Sequence, residues 1–129
     1  MSEASITKTR GIRGATTATA NTIEAMQEAI NELLTQIEEA NQLDWENVAS
    51  VIFTATPDLD AIFPAAIARK SNPHWDHIPL LDVQQMRVQG SLARCIRILI
   101  HWNTNKPQEA IHHVYLRGAA DLRPDLAKT

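Results

Sequence analysis

Between residues 21 and 41 the chain commits itself to an amphipathic helix. Ile23, Met26, Ile30, Leu33 and Ile37 recur at intervals of three and four, and Leu34 and Ala40 widen the stripe, which is the period of one helix face. Glu24, Glu28, Glu32, Glu38 and Glu39 share the segment with no lysine or arginine. Most of them fall away from the stripe and read as a solvated surface. Asn21 is placed to cap the start, with Glu24 three residues on as in a capping box. A single apolar stripe of this length must be buried against another layer.

The remaining elements are mostly strands. Two glycines and a single large apolar residue, Ile12, mark an irregular first strand near 9–16. Val48 to Thr56 is rich in β-branched and apolar residues and stops at Pro57, as a buried strand would. A turn follows, then a short helix from Phe63 to Arg69 with Pro64 in its first turn, broken by Ser71-Asn-Pro-His74. His77 to Val83 predicts another strand. In Leu92 to Trp102 the alternation of Ile96, Ile98, Ile100 and Trp102 predicts mostly strand. Asn103 to Pro107 is a turn, and His113 to Arg117 a last strand. The order is not a regular βαβ series, so the expected class is α+β, a mixed β-sheet with helices packed on one face. Residues 1–8 read as a flexible leader, 9–117 as one domain and 118–129 as a C-terminal tail.

With 129 residues and 44% apolar content, one globular domain can bury about two thirds of its unfolded surface without covalent staples. The lone cysteine, Cys95, excludes an internal disulfide and any multi-cysteine metal site. A net charge of −3 and a pI near 5.9 argue against nucleic acid as a partner. The first ten residues hold no signal-peptide apolar core, and no stretch is long enough to cross a membrane, so a cytoplasmic protein with no membrane partner is expected.

Familiar catalytic hardware is absent. There is no phosphate-cradling loop, no zinc-protease helix and no nucleophile elbow. His112 and His113 are neighbours on a strand and would point to opposite faces. No metal and no cofactor are expected. What stands out is arginine: eight of the 12 basic residues, the side chain that grips carboxylates at two points. Arg97 lies inside an apolar strand on the face opposite Ile96, Ile98 and Ile100. A buried arginine is costly unless paired, so it calls either for a protein carboxylate or for a bound anion. Arg13, between Ile12 and Gly14, is the second candidate.

Six strings carry a resemblance: Arg10-Gly-Ile-Arg-Gly-Ala-Thr-Thr17, Ala55-Thr-Pro-Asp-Leu59, Phe63-Pro-Ala65, Cys95-Ile-Arg97, His113-Val-Tyr-Leu116 and Leu122-Arg-Pro-Asp-Leu126. In this order and at these spacings, over residues 10 to 126, the chain resembles the small monofunctional bacterial chorismate mutases, the trimeric class and not the all-helical one. The resemblance implies the Claisen rearrangement of chorismate to prephenate on the path to phenylalanine and tyrosine. It implies a homotrimer whose sheets form a pseudo-barrel, with sites between subunits. It implies that Arg97 addresses the ether oxygen, that Arg13 and Tyr115 hold substrate carboxylates, and that Phe63, Ala65, Leu80 and Leu81 line the pocket. Arg69 would add positive potential at the mouth, and Leu122 and Arg123 in the tail would close over the ligand.

Two positions depart from that pattern. Gln85 stands where the family usually has a glutamate, and Asp82 where it usually has a cysteine, so the carboxylate is expected to have moved along the wall of the pocket to Asp82. The family's lysine after Phe-Pro-Ala is Ala66, one charge fewer at the entrance. The rival readings are a non-catalytic protein that binds chorismate or prephenate, and a trimeric enamine or imine deaminase.

Overall fold

The computed structural model describes residues 6–122. Five strands form one mixed sheet: β1 (Lys8–Thr17), β2 (Val48–Ala55), β3 (Leu80–Gln84), β4 (Cys95–Thr104) and β5 (Val114–Tyr115), in the order β3-β2-β4-β1-β5. β4 runs antiparallel to both β1 and β2, whereas β3 is parallel to β2 and β5 parallel to β1. Two helices, α1 (Ile23–Asn41) and α2 (Pro64–Ser71), and several single turns of 3₁₀-helix complete the described chain.

Both helices cover one face of the sheet, as the class expectation requires. Met26, Ile30, Leu33 and Ile37 of α1 and Ala65, Ile67 and Ala68 of α2 are buried against Ile12, Val51, Phe53, Ile96, Ile98 and Ile100. These strand residues share a face because strand side chains alternate and the registers align Ile12 with Ile100, Gly14 with Ile98 and Phe53 with Ile98. Gly14 marks where α1 comes closest. A Cβ there would lie 2.9 Å from Ile37 Cδ1 and 3.1 Å from the Val114 carbonyl oxygen, so only glycine fits beneath the helix.

The element boundaries depart from expectation in four main places. β4 runs Cys95–Thr104, starting three residues later than expected and taking in the first two residues of the expected turn. Thr22, not Asn21, caps α1, its hydroxyl accepting from the Ala25 amide at 3.1 Å. Asn21 is used across the fold, its Oδ1 accepting from the amides of Asp60 and Ala61 at 3.0 and 3.1 Å, so no capping box with Glu24 forms. β3 starts at Leu80, because Pro73–His77 winds into a 3₁₀ turn that buries Trp75 against Trp45 and Phe53. β5 keeps only two residues of the expected strand. Arg117 takes up a left-handed φ of 54° and turns the chain into a 3₁₀ segment, Arg117–Asp121.

No helix among the described residues is long and apolar enough to cross a membrane. The second face of the sheet carries no α-helix and is apolar in part: Leu81 is 56% and Val83 42% exposed, with Ile52 and Leu99 half-covered.

Candidate active site

The uncovered sheet face sets the geometry. Cross-strand register lines up Val83, Thr54, Arg97, Ala15 and Tyr115 in one row across all five strands, and Leu81, Ile52, Leu99 and Arg13 in the next. Arg13, Thr54, Arg97 and Tyr115 thereby surround one depression of about 220 Å3, floored by Ile52 and Leu99.

Arg97 is not buried, contrary to the expectation drawn from its apolar strand. Its face of the sheet has no covering helix, so the side chain is exposed. It also makes no ion pair among the described residues, where the arginine–carboxylate pairs are those of Arg117 with Glu28 and Glu32. An exposed guanidinium requires neither partner, so the burial argument lapses, and no protein carboxylate is paired with it among the described residues. Beside it lies the buried Cys95 thiol. Burial pushes that thiol up, against the nearby charge and hydrogen bond of Arg97.

Arg13 and Tyr115 are held from behind. The backbone N–H of Arg13 donates to Nδ1 of His113 at 3.0 Å, so an imidazole continues the hydrogen bonding of β1 past the short β5. Tyr115 is buried with Ala15 and Ala119, and Leu92 and Leu122 pack against this cluster. Leu122 is thus next to Tyr115, while Arg123 lies outside the described residues.

A second group sits elsewhere. Phe63, 71% exposed, lines a cleft of about 580 Å3 with Ala61, Ile62, Asp82 and Gln84 at the start of α2. Asp82 accepts the Ala65 amide on Oδ1 at 3.0 Å, and so satisfies one of the free N–H groups of the first helical turn. Desolvation raises its pKa above the ordinary 3.8, against the pull of that hydrogen bond and the charge of Arg69.

Alternation along β3 separates residues that the sequence reading had grouped. Asp82 pairs with Phe53 on the helix-covered face, while Gln85, three residues on with its amide bonded to the Ala55 carbonyl at 2.9 Å, continues the alternation toward the other face. Within one chain, Asp82 and Gln85 do not share a wall. Leu80 and Leu81 divide in the same way, Leu80 against the core and Leu81 into the open. The candidates thus form two sets: Arg13, Arg97, Tyr115, Leu81 and Leu122 on the uncovered face, and Phe63, Ala65, Arg69 and Asp82 around α2.

Thr54 was missed. A threonine in an apolar strand gives no signal until register places it opposite Arg97. Its Oγ1 is buried without a hydrogen-bond partner, as is Oε1 of Gln85. No cluster of three or more histidine, cysteine or acidic residues capable of holding a metal occurs among the described residues.

Comparison with known proteins agrees with this architecture. The family model described as chorismate mutase type I matches residues 9–126. The chorismate mutase AroH of Thermus thermophilus is 50% identical over 118 residues, which is 91% of this chain and 95% of that protein. Its counterpart from Bacillus subtilis (strain 168) is 42% identical over 120 residues, covering 93% of this chain and 94% of the relative. A solved chorismate mutase from Clostridium thermocellum superposes with a TM-score of 0.81 at 42% identity, covering 86% of this chain and 97% of that one.

Proposed function

Because the chain belongs to the chorismate mutase type I family, it is an isomerase that converts chorismate to prephenate in aromatic amino-acid synthesis, and we propose that the arginines of the uncovered sheet face carry out the rearrangement. The reaction is unimolecular: one C–O bond breaks as a C–C bond forms, with no nucleophile and no proton transfer. The protein has two tasks. It holds a flexible dianion in the compact reactive conformer, and it stabilises the charge that separates as the ether bond opens.

Arg13 and Tyr115 anchor the carboxylates. Arg97 donates to the ether oxygen as negative charge grows there, and Gln85 hydrogen-bonds the ring hydroxyl. Leu122 and Arg123 close over the bound ligand. The observation that carries this reading is the exposed Arg97 guanidinium, set in one depression with Arg13 and Tyr115 and free of any ion pair among the described residues.

One chain holds only half of the arrangement, and we propose that copies supply each other's missing half in a homotrimer. Phe63, Ala65, Arg69 and Asp82 of one copy would meet the arginines of the next. The apolar residues left open on and beside the uncovered face, Leu81, Val83, Met86 and Val88, support such an assembly. We also propose that the enzyme works in the cytoplasm. Loss of chorismate absorbance followed in sedimenting material tests the reading: turnover is expected to travel with three chains. Turnover by single chains at full rate would remove the composite site, and trimers that bind a dicarboxylate without turning chorismate over would remove the catalytic assignment.

Asp82 supplies the site's carboxylate in this reading. Oδ1 is engaged by Ala65, which leaves Oδ2 for the positive charge that develops on the substrate ring. Asp82→Asn is therefore expected to lower kcat about tenfold or more with a smaller change in KM, since the charge matters most in the transition state. The acid side gives a second check. The raised pKa means that the carboxylate takes up its proton above pH 3.8, so the wild-type rate falls as pH drops through that raised value. The charged form is the one disfavoured by folding, so stability does not fall along with it. Asp82→Asn is expected to lose this acid limb, and an unaltered pH profile in the variant would remove Asp82 from the chemistry.

A further inference from the structure

The ends of the long β3–β4 connection are tied to a single turn. At one end the Gln85 amide donates to the Ala55 carbonyl at 2.9 Å. At the other, the Thr56 amide donates to the Cys95 carbonyl at 3.0 Å, and the Cys95 amide returns a bond to Thr56 Oγ1 at 2.9 Å. The Thr56 hydroxyl donates in turn to Oδ1 of Asp58, whose Oδ2 accepts the Arg94 amide at 2.9 Å. Arg94 stands at a left-handed φ of 48°, a conformation non-glycine residues adopt only when their surroundings enforce it. Its Nε and carbonyl both engage Ala18, at 3.1 and 2.9 Å. Between these anchors the loop is exposed, with Met86 and Val88 open to solvent.

Asp58 accepts from both sides of this knot at once, from the Thr56 hydroxyl on Oδ1 and from the Arg94 amide on Oδ2. Desolvation pulls its pKa up, but the Thr56 hydroxyl, the Arg94 amide and the Arg94 charge outweigh that and hold it below the ordinary 3.8. Asp58 lines neither cavity that contains candidate site residues. Arg97 follows Arg94 by three residues, so the point at which β4 enters the sheet sets the reach of its guanidinium.

We propose that Asp58 is a positioning residue for the rearrangement: by clasping Thr56 and Arg94 it fixes the start of β4 and thereby the placement of Arg97 relative to Arg13 and Tyr115, without touching substrate. The inference rests on the assignment of Arg97 to the ether oxygen. An ångström of misplacement in a reacting array can cost about a hundredfold in rate. Substrate anchoring by Arg13 and Tyr115, on β1 and β5, is left in place.

The test is a cycle of Asp58→Ala and Arg97→Lys, alone and together, on trimeric enzyme whose fold is checked by circular dichroism and melting. Asp58→Ala is expected to lower kcat about tenfold or more with KM changed less than about threefold, and to add less than about twofold to the loss already caused by Arg97→Lys, because residues that act through one another are not additive. Asp58→Asn keeps one good acceptor and is expected to fall in between; it replaces Asp58→Ala in the cycle if the alanine variant does not fold. A lower melting temperature with unchanged kcat overturns the proposal, leaving Asp58 a structural tie only. Full multiplication of the two losses also overturns it, because Asp58 would then act independently of Arg97. Wild-type kcat in Arg97→Lys instead strikes the assignment of Arg97, and this inference falls with it.

Discussion

Arg97→Ala is expected to reduce kcat about a thousandfold, roughly 4 kcal/mol of transition-state stabilisation, the upper range for removing one preorganised donor from a developing oxyanion. The size follows from what the guanidinium does. Negative charge on the ether oxygen exists only while the bond is breaking, so a donor aimed at it acts on the transition state and hardly on the bound substrate. Consumption of chorismate followed by absorbance gives the rate, and the same protein is checked by circular dichroism. Arg97 is exposed and in no ion pair among the described residues, so the variant is expected to melt within about a degree or two of the wild type, as surface substitutions usually do. A variant that fails to fold would mean that Arg97 is structural after all. A folded variant with near-normal turnover would move the ether-oxygen contact to another cation, with Arg13 first in line.

Asn41→Ala is expected to destabilise the fold by about 3 kcal/mol, because it empties a fully buried position and removes the side-chain partner of two part-buried backbone groups of His112 together. Asn41 is fully buried at the last turn of α1. Its Nδ2 donates to the carbonyls of Ile37 and His112 at 3.1 and 2.9 Å, and its Oδ1 accepts the His112 amide at 2.8 Å. The side chain thus plays the part of a neighbouring strand for the segment that leads into β5. Alanine leaves the N–H and C=O of His112 without these partners. A melting temperature lower by roughly 10 °C is the expected reading for a domain of this size. Tyr115 lies three residues beyond His112, so KM is expected to rise in whatever fraction remains folded. A shift of only a degree or two would show that water replaces the amide at no great cost.

Much of this was legible in the sequence, and the exceptions have physical causes. The stripe from Ile23 to Ile37 and the alternation from Ile96 to Trp102 each place a core face, because burial on one side leaves a period, although for Leu92 to Trp102 the period alone leaves helix and strand open. The cap of α1 falls one residue from its expected place because Asn21 and Thr22 both present an oxygen that can accept a helix N–H, and what decides between them is a loop at Asp60 and Ala61. The length of β5 depends on a left-handed Arg117 that no propensity marks. The reach of Arg97 into the open depended on which sheet face stays uncovered, and this emerges only when both helices have chosen the same side. Asp82 and Gln85 are a different lesson. Their odd spacing in extended chain already put them on opposite faces, yet the family's pocket suggested a common wall, and strand parity is the better guide within a single chain. Thr54 was invisible until its register opposite Arg97 was known.

Among the described residues the first strand has no sheet partner nearer than residue 95: the strands it pairs with are β4 and β5. On the ribosome it must therefore wait for β4, and β5 can pair only after it is seated, while β2, α2, β3 and β4 can already gather around Phe53. Such long-range closure slows folding, and in the interval Ile12 has no home, so a nascent chain of this design has reason to need a chaperone's cover until its final strand arrives.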